Sequence, residues 1–358
     1  MPGYPLAPHA DSPIRQLADP QLYGALMTTL RSMDDWKAHA SFLVLGAGSI
    51  GKRHMANLRA LGVEHIGVYD PQAGRMAEAE SRWGVRAFPS LEAALETRPQ
   101  AVLVCSPPVY HIAQALAAAE TGAHLFLEKP LAASLDGVDD LIAAVEARGL
   151  RTLVGCNFRF HPGMQRLKAL LAEGALGEVI FARAEFGQYL PDWHPWEDYR
   201  RGYSARRDLG GGIVLDRIHE LDYLVWLFGP VEQVQGLVLH TGTLEIETED
   251  LAEGWLRFHS GVTASLHTDY LNRRYTCRAE VLGTKGTAWW DFGEHTLRLY
   301  RAESGEMLSW SWPRYDVNAM YVAEMAHFLR VLAGEEKSIK DLTQARHILE
   351  AALRLKMP

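Results

Sequence analysis

The sequence predicts an α/β domain on a doubly wound parallel sheet, followed by an α+β domain with a large, mostly antiparallel sheet. Short apolar runs alternate with helical stretches from Ser41 to Val154, the rhythm of parallel strands with helices on both faces. Beyond about residue 175 the pattern turns strand-rich, with glycines between the strands. The length of 358 residues leaves room for two cores, and 48% hydrophobic with 22% charged residues is ordinary globular usage.

Taken in order, residues 1–40 form an extension. Its first half is proline-rich, and Leu22, Leu26, Leu30 and Met33 then fall at helical spacing, with Trp36 closing the same face. The first domain is expected over 41–157. Ser41–Leu45 reads as a buried strand, and a helix runs through Leu61. Further strands are expected at His65–Tyr69, Val85–Phe88, Ala101–Cys105, His124–Leu127 and Thr152–Val154. Helices at 72–83, Leu91–Glu96, 109–121 and 135–148 separate them. The second domain, 158–358, holds helices near 163–173 and 214–227 and strands at 178–188, 231–240, 250–259, 262–270, 276–283, 286–291 and 295–301. Alternation in Trp255–Phe258 and Val262–Leu266 suits a sheet with two unlike faces. Helices near 317–333 and 341–356 close the chain and are free to pack back on the first domain.

Composition excludes several classes. With 36 Lys+Arg against 44 Asp+Glu, the net charge of -8 argues against non-specific binding to nucleic acid or anionic membranes. Three scattered cysteines, Cys105, Cys156 and Cys277, make neither a disulfide framework nor a CxxC metal site, and a reducing compartment is expected. No apolar run approaches the ~18 residues of a membrane helix, and the N-terminus lacks a signal-peptide pattern, so the expectation is cytoplasmic.

The chemistry concentrates in a few segments. Gly46-x-Gly48-x-x-Gly51 follows a strand and opens a helix, and Asp70 ends the next strand 19 residues after Gly51. The first glycine permits the turn, the second lets backbone approach a pyrophosphate, and the third packs helix on strand. The N–H groups of Ser49, Ile50 and Gly51 then face the phosphates. Asp70 suits the adenosine ribose hydroxyls and repels a 2′-phosphate, which favours NAD; nearby Arg75 keeps NADP open. This is the Rossmann fingerprint.

Glu128-Lys129-Pro130 after the strand His124–Leu127 resembles the EKP motif of the Gfo/Idh/MocA oxidoreductases, relatives of glucose-fructose oxidoreductase and inositol dehydrogenase. Cys105-Ser106-Pro107-Pro108-x-x-His111 is similar to that family's second cofactor-facing loop. Asn157-Phe-Arg159-Phe and Gly210-Gly-Gly212-x-x-x-Asp216-x-x-His219-x-x-Asp222 also resemble family segments. The resemblance begins at about Phe42. It implies a Rossmann domain, an open-faced second sheet, a nicotinamide between them, and sugar, cyclitol or related polyol substrates. It also implies cofactor contacts at Ser106, Pro107, His111, Glu128 and Lys129, and a commonly cis Lys-Pro bond.

Lys129 makes sense on its own chemistry, because an ammonium at the carboxyl end of a parallel strand can stabilise an alkoxide. His219 is a natural proton acceptor for an alcohol, and Asp216 and Asp222 lie three residues away on either side of a predicted helix. The family commonly spaces the aspartate and histidine by four, so Asp216 is expected to be a helper at most. The glycine run 210–212 is expected to let backbone pass close to substrate and cofactor. No metal site is expected. Residues 189–207 gather Trp193, Trp196, Tyr199 and several arginines, suited to a sugar face or to a neighbouring subunit. Arg159 suits an anionic substrate or an internal pair.

The reading is an NAD(H)-dependent oxidoreductase moving a hydride to or from a secondary alcohol or ketone of a sugar-like substrate. A redox-neutral enzyme with tightly held NAD, or a non-catalytic cofactor-binding regulator, are the alternatives. A homodimer or homotetramer through the second sheet is expected, Trp289-Trp290 lying in one of its strands.

Overall fold

The computed structural model describes residues 39–357, so the helix expected over Leu22–Trp36 and most of the 1–40 extension lie outside the described residues. The described chain divides into two compact units, one of residues 39–157 with 316–346 and one of residues 158–315 with 347–357.

The first unit holds a six-stranded parallel sheet in the order β3-β2-β1-β4-β5-β6. Its strands are β1 (Ser41–Leu45), β2 (His65–Tyr69), β3 (Arg86–Ala87), β4 (Ala101–Val104), β5 (His124–Leu127) and β6 (Thr152–Val154). All four residues of β4 are buried, as are Leu125, Phe126 and Leu127 of β5, because helices cover both faces. Those helices are α1 (Ser49–Ala60), α2 (Ala73–Trp83), α3 (Leu91–Leu95), α4 (His111–Glu120) and α5 (Val138–Ala147). The strand order reverses between β1 and β4, the position where doubly wound sheets bind ligands. A late helix of the chain, Asn318–Ala333, belongs to this unit; Asn318 and Asn57 exchange side-chain hydrogen bonds, and Arg53 lies 4.3 Å over the Tyr321 ring.

The second unit is an eight-stranded sheet in the order β14-β13-β12-β11-β7-β10-β9-β8, antiparallel except for the β7–β10 pair. Its strands are β7 (Val179–Gly187), β8 (Val231–Leu239), β9 (Leu251–Phe258), β10 (Thr263–Asp269), β11 (Thr276–Gly283), β12 (Gly286–Asp291), β13 (Thr296–Arg301) and β14 (Met307–Ser311). Strict alternation sorts side chains between the faces. Ala252, Leu256, Phe258, Cys277, Ala279, Val281 and Trp290 are buried, whereas Trp255 and Trp289 stand on the opposite face, 61% and 36% exposed. The adjacent Trp289 and Trp290 therefore point to opposite faces, and only Trp289 stands on the open one. Trp290 is fully buried and meets Tyr223 and His161 ring to ring.

The remaining helices are α6 (Pro162–Ala172), α7 (Ile213–Asp216), α8 (His219–Phe228), α9 (Asn318–Ala333) and α10 (Leu342–Leu355). The helix expected over 214–227 is two. Arg217 leaves the helical region at φ -102°, ψ 38°, and its guanidinium bonds the Glu220 carboxylate at 2.7 Å and lies 3.5 Å over the Phe186 ring. Strand β14 has no counterpart in the sequence reading.

Candidate functional site

The loop after β1 is shaped by its own glycines. Gly46 sits at φ +97°, and a Cβ there would lie 2.8 Å from the Cys105 carbonyl of the neighbouring loop. A Cβ on Gly51 would lie 1.9 Å from the Gly46 oxygen. Gly48 differs: a Cβ there would meet nothing within 4 Å. It is the N-cap of α1, no side chain caps that helix, and no acidic residue stands in its first turn. The N–H groups of Ser49, Ile50 and Gly51 thus begin a twelve-residue helix that no side chain caps. Asp70 follows β2 directly, buried, with Oδ2 accepting from Ala47 N at 2.8 Å and Oδ1 from Gln72 N at 2.8 Å. A carboxylate has about four acceptor positions, so it retains capacity for ribose hydroxyls. Arg75 lies 3.6 Å from Asp70 Oδ2. An open glycine cradle, an uncapped helix and a carboxylate beside them fit a dinucleotide.

The loops after β4 and β5 complete this end of the sheet. Ser106 Oγ donates to Gln114 at 2.8 Å, Pro107 leads into a 3₁₀ turn at Pro108–Tyr110, and His111 heads α4. His111 is fully buried, with Nε2 2.8 Å from Ser106 O and Nδ1 3.0 Å from Pro130 O. Burial holds its imidazole below the usual range against those hydrogen bonds. The resemblance implied cofactor contact for His111; its ring instead ties the β4 loop to the β5 loop. Glu128 is buried, Lys129 is half-buried, and the Lys129-Pro130 bond is cis.

Sequence reasoning missed the partner of Glu128. His54 Nε2 lies 2.6 Å from Glu128 Oε1, and Glu324 stands close by. The signal was a histidine on the buried face of α1, among Gly51, Met55 and Leu58. His54, Glu128 and Glu324 offer ligand atoms within 4.8 Å of one another. They are already spent on each other and on backbone, since Glu324 Oε1 accepts from Cys156 N at 2.5 Å. Burial, with the charges of Glu128 and Glu324 behind it, pushes the Cys105 thiol well up, so it offers no thiolate nucleophile.

In the second unit, His219 begins α8, buried, its ring 5.0 Å from that of Phe158. Asp216 ends α7. Its carboxylate accepts from the hydroxyls of Tyr203, Ser204 (2.7 Å) and Tyr270 (2.9 Å). Burial, then the Asp216 charge, pushes the Tyr270 hydroxyl well up, so it remains a donor. Asp216 thereby anchors the segment 203–205, a role its sequence position did not announce. Asp222 forks with Arg159, Nε to Oδ2 at 2.9 Å and NH2 to Oδ1 at 3.0 Å, and both are buried. The substrate-contact expectation for Arg159 is corrected: a fully buried guanidinium spends its fork on Asp222.

The segment 189–209 is a chain of 3₁₀ turns, at Leu190–Asp192, Tyr199–Arg201, Tyr203–Ala205 and Arg207–Leu209. Trp193 packs its ring 5.4 Å from Tyr270 and donates to Gln188 O at 3.3 Å. The Tyr199 hydroxyl accepts from Glu245 N at 3.4 Å, and Arg200 bonds Asp198 and Glu245. Trp196 is 62% exposed, the most open aromatic of the segment. The glycine run that follows is also corrected. A Cβ on Gly211 would lie 2.0 Å from Tyr203 O, and one on Gly212, at φ +112°, would lie 2.3 Å from the Glu249 carboxylate. Gly211 and Gly212 are required by the chain's own atoms.

Comparison with known proteins agrees with this geometry. The family model described as "Oxidoreductase family, NAD-binding Rossmann fold" matches residues 40–156, and the "GFO/IDH/MocA C-terminal domain" matches residues 164–289. UDP-N-acetylglucosamine 3-dehydrogenase of Acidithiobacillus ferrooxidans is 27% identical over 323 residues, covering 88% of this chain and 95% of that one. Its solved structure superposes with a TM-score of 0.73 at 25% identity, covering 88% of this chain and 96% of that chain. Myo-inositol 2-dehydrogenase of Thermotoga maritima is 29% identical, covering 83% of this chain and 89% of its own. Oxidoreductase YrbE of Bacillus subtilis is 30% identical, covering 68% of this chain and 72% of its own. With both domains matched in order and the glycine cradle open, the chain belongs to the Gfo/Idh/MocA family of NAD-binding oxidoreductases.

Proposed function

We propose that this protein is an NAD-dependent dehydrogenase acting on a secondary alcohol of a sugar, cyclitol or sugar derivative, with nucleotide-linked sugars the first class to try. The observation that carries the reading is the open cradle over Gly48 on the sheet whose next strand but one, β5, runs into Lys129. Two relatives matched over most of the chain, UDP-N-acetylglucosamine 3-dehydrogenase and myo-inositol 2-dehydrogenase, support the substrate class by name. NAD, when bound, supplies the hydride acceptor. Ser49, Ile50 and Gly51 hold its phosphates, and Asp70 its adenosine ribose. In this reading His219 removes the hydroxyl proton, the Lys129 ammonium stabilises the alkoxide, and Trp196 offers a flat face to the sugar ring. Asp216 serves by holding the segment 203–205 in place.

A panel of UDP-sugars, cyclitols and free sugars, followed by NADH absorbance, tests the reading. At least one compound should give turnover. His219→Asn should lose roughly 10²–10⁴-fold in rate, the range for a general base. Lys129→Ala should lose most turnover and keep its NAD affinity. Wild-type-like rates in either variant would remove that residue from the chemistry.

The open face of the second sheet supports self-association and fits a second copy of the chain. Trp255, Trp289, Tyr300, Met307 and Leu237 are exposed, among paired rows such as Glu253–His267 and Glu185–Arg278. A shallow cavity of about 580 Å³ lies there between Trp289 and Met307. A face mixing aromatic side chains with charges of both signs complements itself across a two-fold axis. Light scattering at micromolar concentration should find a dimer or larger. Three free, buried cysteines suit a cytoplasmic location.

A further inference from the structure

We propose that His54, acting through Glu128, is a positioning residue for Lys129, an inference that rests on reading Lys129 as the group that meets the substrate oxygen. The Glu128 carboxylate is fixed at both oxygens. Oε1 lies 2.6 Å from His54 Nε2, and Oε2 accepts from the Lys129 backbone N at 3.1 Å. The side chain therefore turns back on the amide of the residue that follows it. Gly155 closes the arrangement: a Cβ there would lie 3.2 Å from both Glu128 Oε2 and Lys129 N. The clamp grips the backbone at the base of the lysine.

His54 is the part without another explanation. It is fully buried on the apolar face of α1, and its Nδ1 has no partner, a cost that a leucine there would not carry. An ionised carboxylate only accepts, so Nε2 carries the donated proton and the ring has one assignable task, holding Glu128. The ring is itself steadied edge-on against Phe126 at 4.9 Å, two residues before Glu128 on the same strand face. Glu324 gives that task its weight. Two buried carboxylates within 4.8 Å of His54 and of each other repel, and the His54 hydrogen bond favours Glu128 staying ionised on the Lys129 amide. Burial raises the Glu128 carboxyl, but the His54 hydrogen bond and the charges of His54 and Lys129 bring it net below the usual range. Without His54, Glu128 is left to take a proton or swing away, and Lys129 loses both its tether and its neighbouring anion.

The test is competitive labelling of Lys129 with acetic anhydride across pH, read by peptide mass spectrometry on the NAD-loaded full chain. It needs no substrate. His54→Leu should change the Lys129 labelling rate at each pH about threefold or more, because the backbone at the base of the lysine is no longer held. His54→Gln, which keeps a donor, should lie nearer wild type. Where His54→Leu fails to fold, Glu128→Gln should reproduce the change. With a turned-over sugar in hand, His54→Leu should lower kcat at unchanged NAD affinity and add nothing in a Lys129→Ala background. A Lys129 profile unchanged in folded His54→Leu or Glu128→Gln overturns the proposal, as does a His54→Leu loss that adds fully to that of Lys129→Ala. Absence of turnover with every sugar would count against the function and leave the labelling result standing.

Discussion

Two glycine runs in this chain look alike in sequence and do opposite things. In Gly46–Gly51, two glycines are required by the loop's own closeness and the middle one faces open space. In Gly210–Gly212, Gly211 and Gly212 are both filled against by the chain itself, Gly211 by the carbonyls of Tyr203 and Ser204 and Gly212 by Glu249. A glycine announces that something comes close; only what a Cβ would meet tells whether that is a ligand or the protein. The same contrast runs through the charged residues. Asp70 keeps acceptor positions in reserve beside an open cradle, whereas Asp216 collects three hydroxyls and Asp222 a whole guanidinium.

The contrast can be broken at several points. The largest effect should come from Gly211→Ala. Its Cβ would fall 2.0 Å from a backbone oxygen, which cannot yield as a flexible side chain would. About 3 kcal/mol of stability should be lost, at the upper end for overpacking, and read as a lowered melting temperature with NAD affinity unchanged. A variant that melts like wild type and binds NAD poorly would mean this run serves the ligand after all.

A smaller effect is expected on the open sheet face. His267 lies 2.8 Å from Asp269 and 2.6 Å from Glu253, and the Asp269 hydrogen bond, helped by Glu253 and opposed by burial, raises its imidazole to about 9. A raised pKa stabilises fully below the unfolded value near 6.5 and is lost as pH climbs through about 9. Wild-type stability should fall across that alkaline window, and His267→Gln should flatten the fall. If the open face joins two copies, light scattering should follow the same trend. Identical pH profiles for the two proteins would remove His267 from the account.

Much of this was legible in the sequence, for physical reasons that differ by element. The buried runs Ser41–Leu45, Ala101–Val104 and His124–Leu127 announced a parallel sheet because both faces are covered, and β9 announced itself by alternation because one face is not. Strand β14 was missed because its edge position needs no strong pattern, and Met307, Ser309 and Ser311 face outward. The break at Arg217 was invisible because local spacing cannot show a guanidinium drawn inward by Glu220 and Phe186. His54 went unnoticed because its partner lies 74 residues away. The cofactor end was legible because its motif is a backbone shape written in glycine. The role of Asp216 was not, and that of Arg159 was only one of two readings, because both depend on which distant groups the fold brings to them.

The most direct test of the central claim is NAD titration of Gly48→Ala by calorimetry, alongside its melting curve. Gly48 has an extended conformation open to alanine, at φ -71° and ψ -170°, and its Cβ would touch no atom of the chain. The account predicts an unchanged melting temperature in the absence of cofactor and an NAD affinity at least about tenfold weaker, about 1.4 kcal/mol, as the methyl enters the space kept for phosphate. An NAD affinity equal to wild type would contradict it, because the one glycine of the Gly46–Gly51 cradle with nothing above it would then be holding that space for nothing.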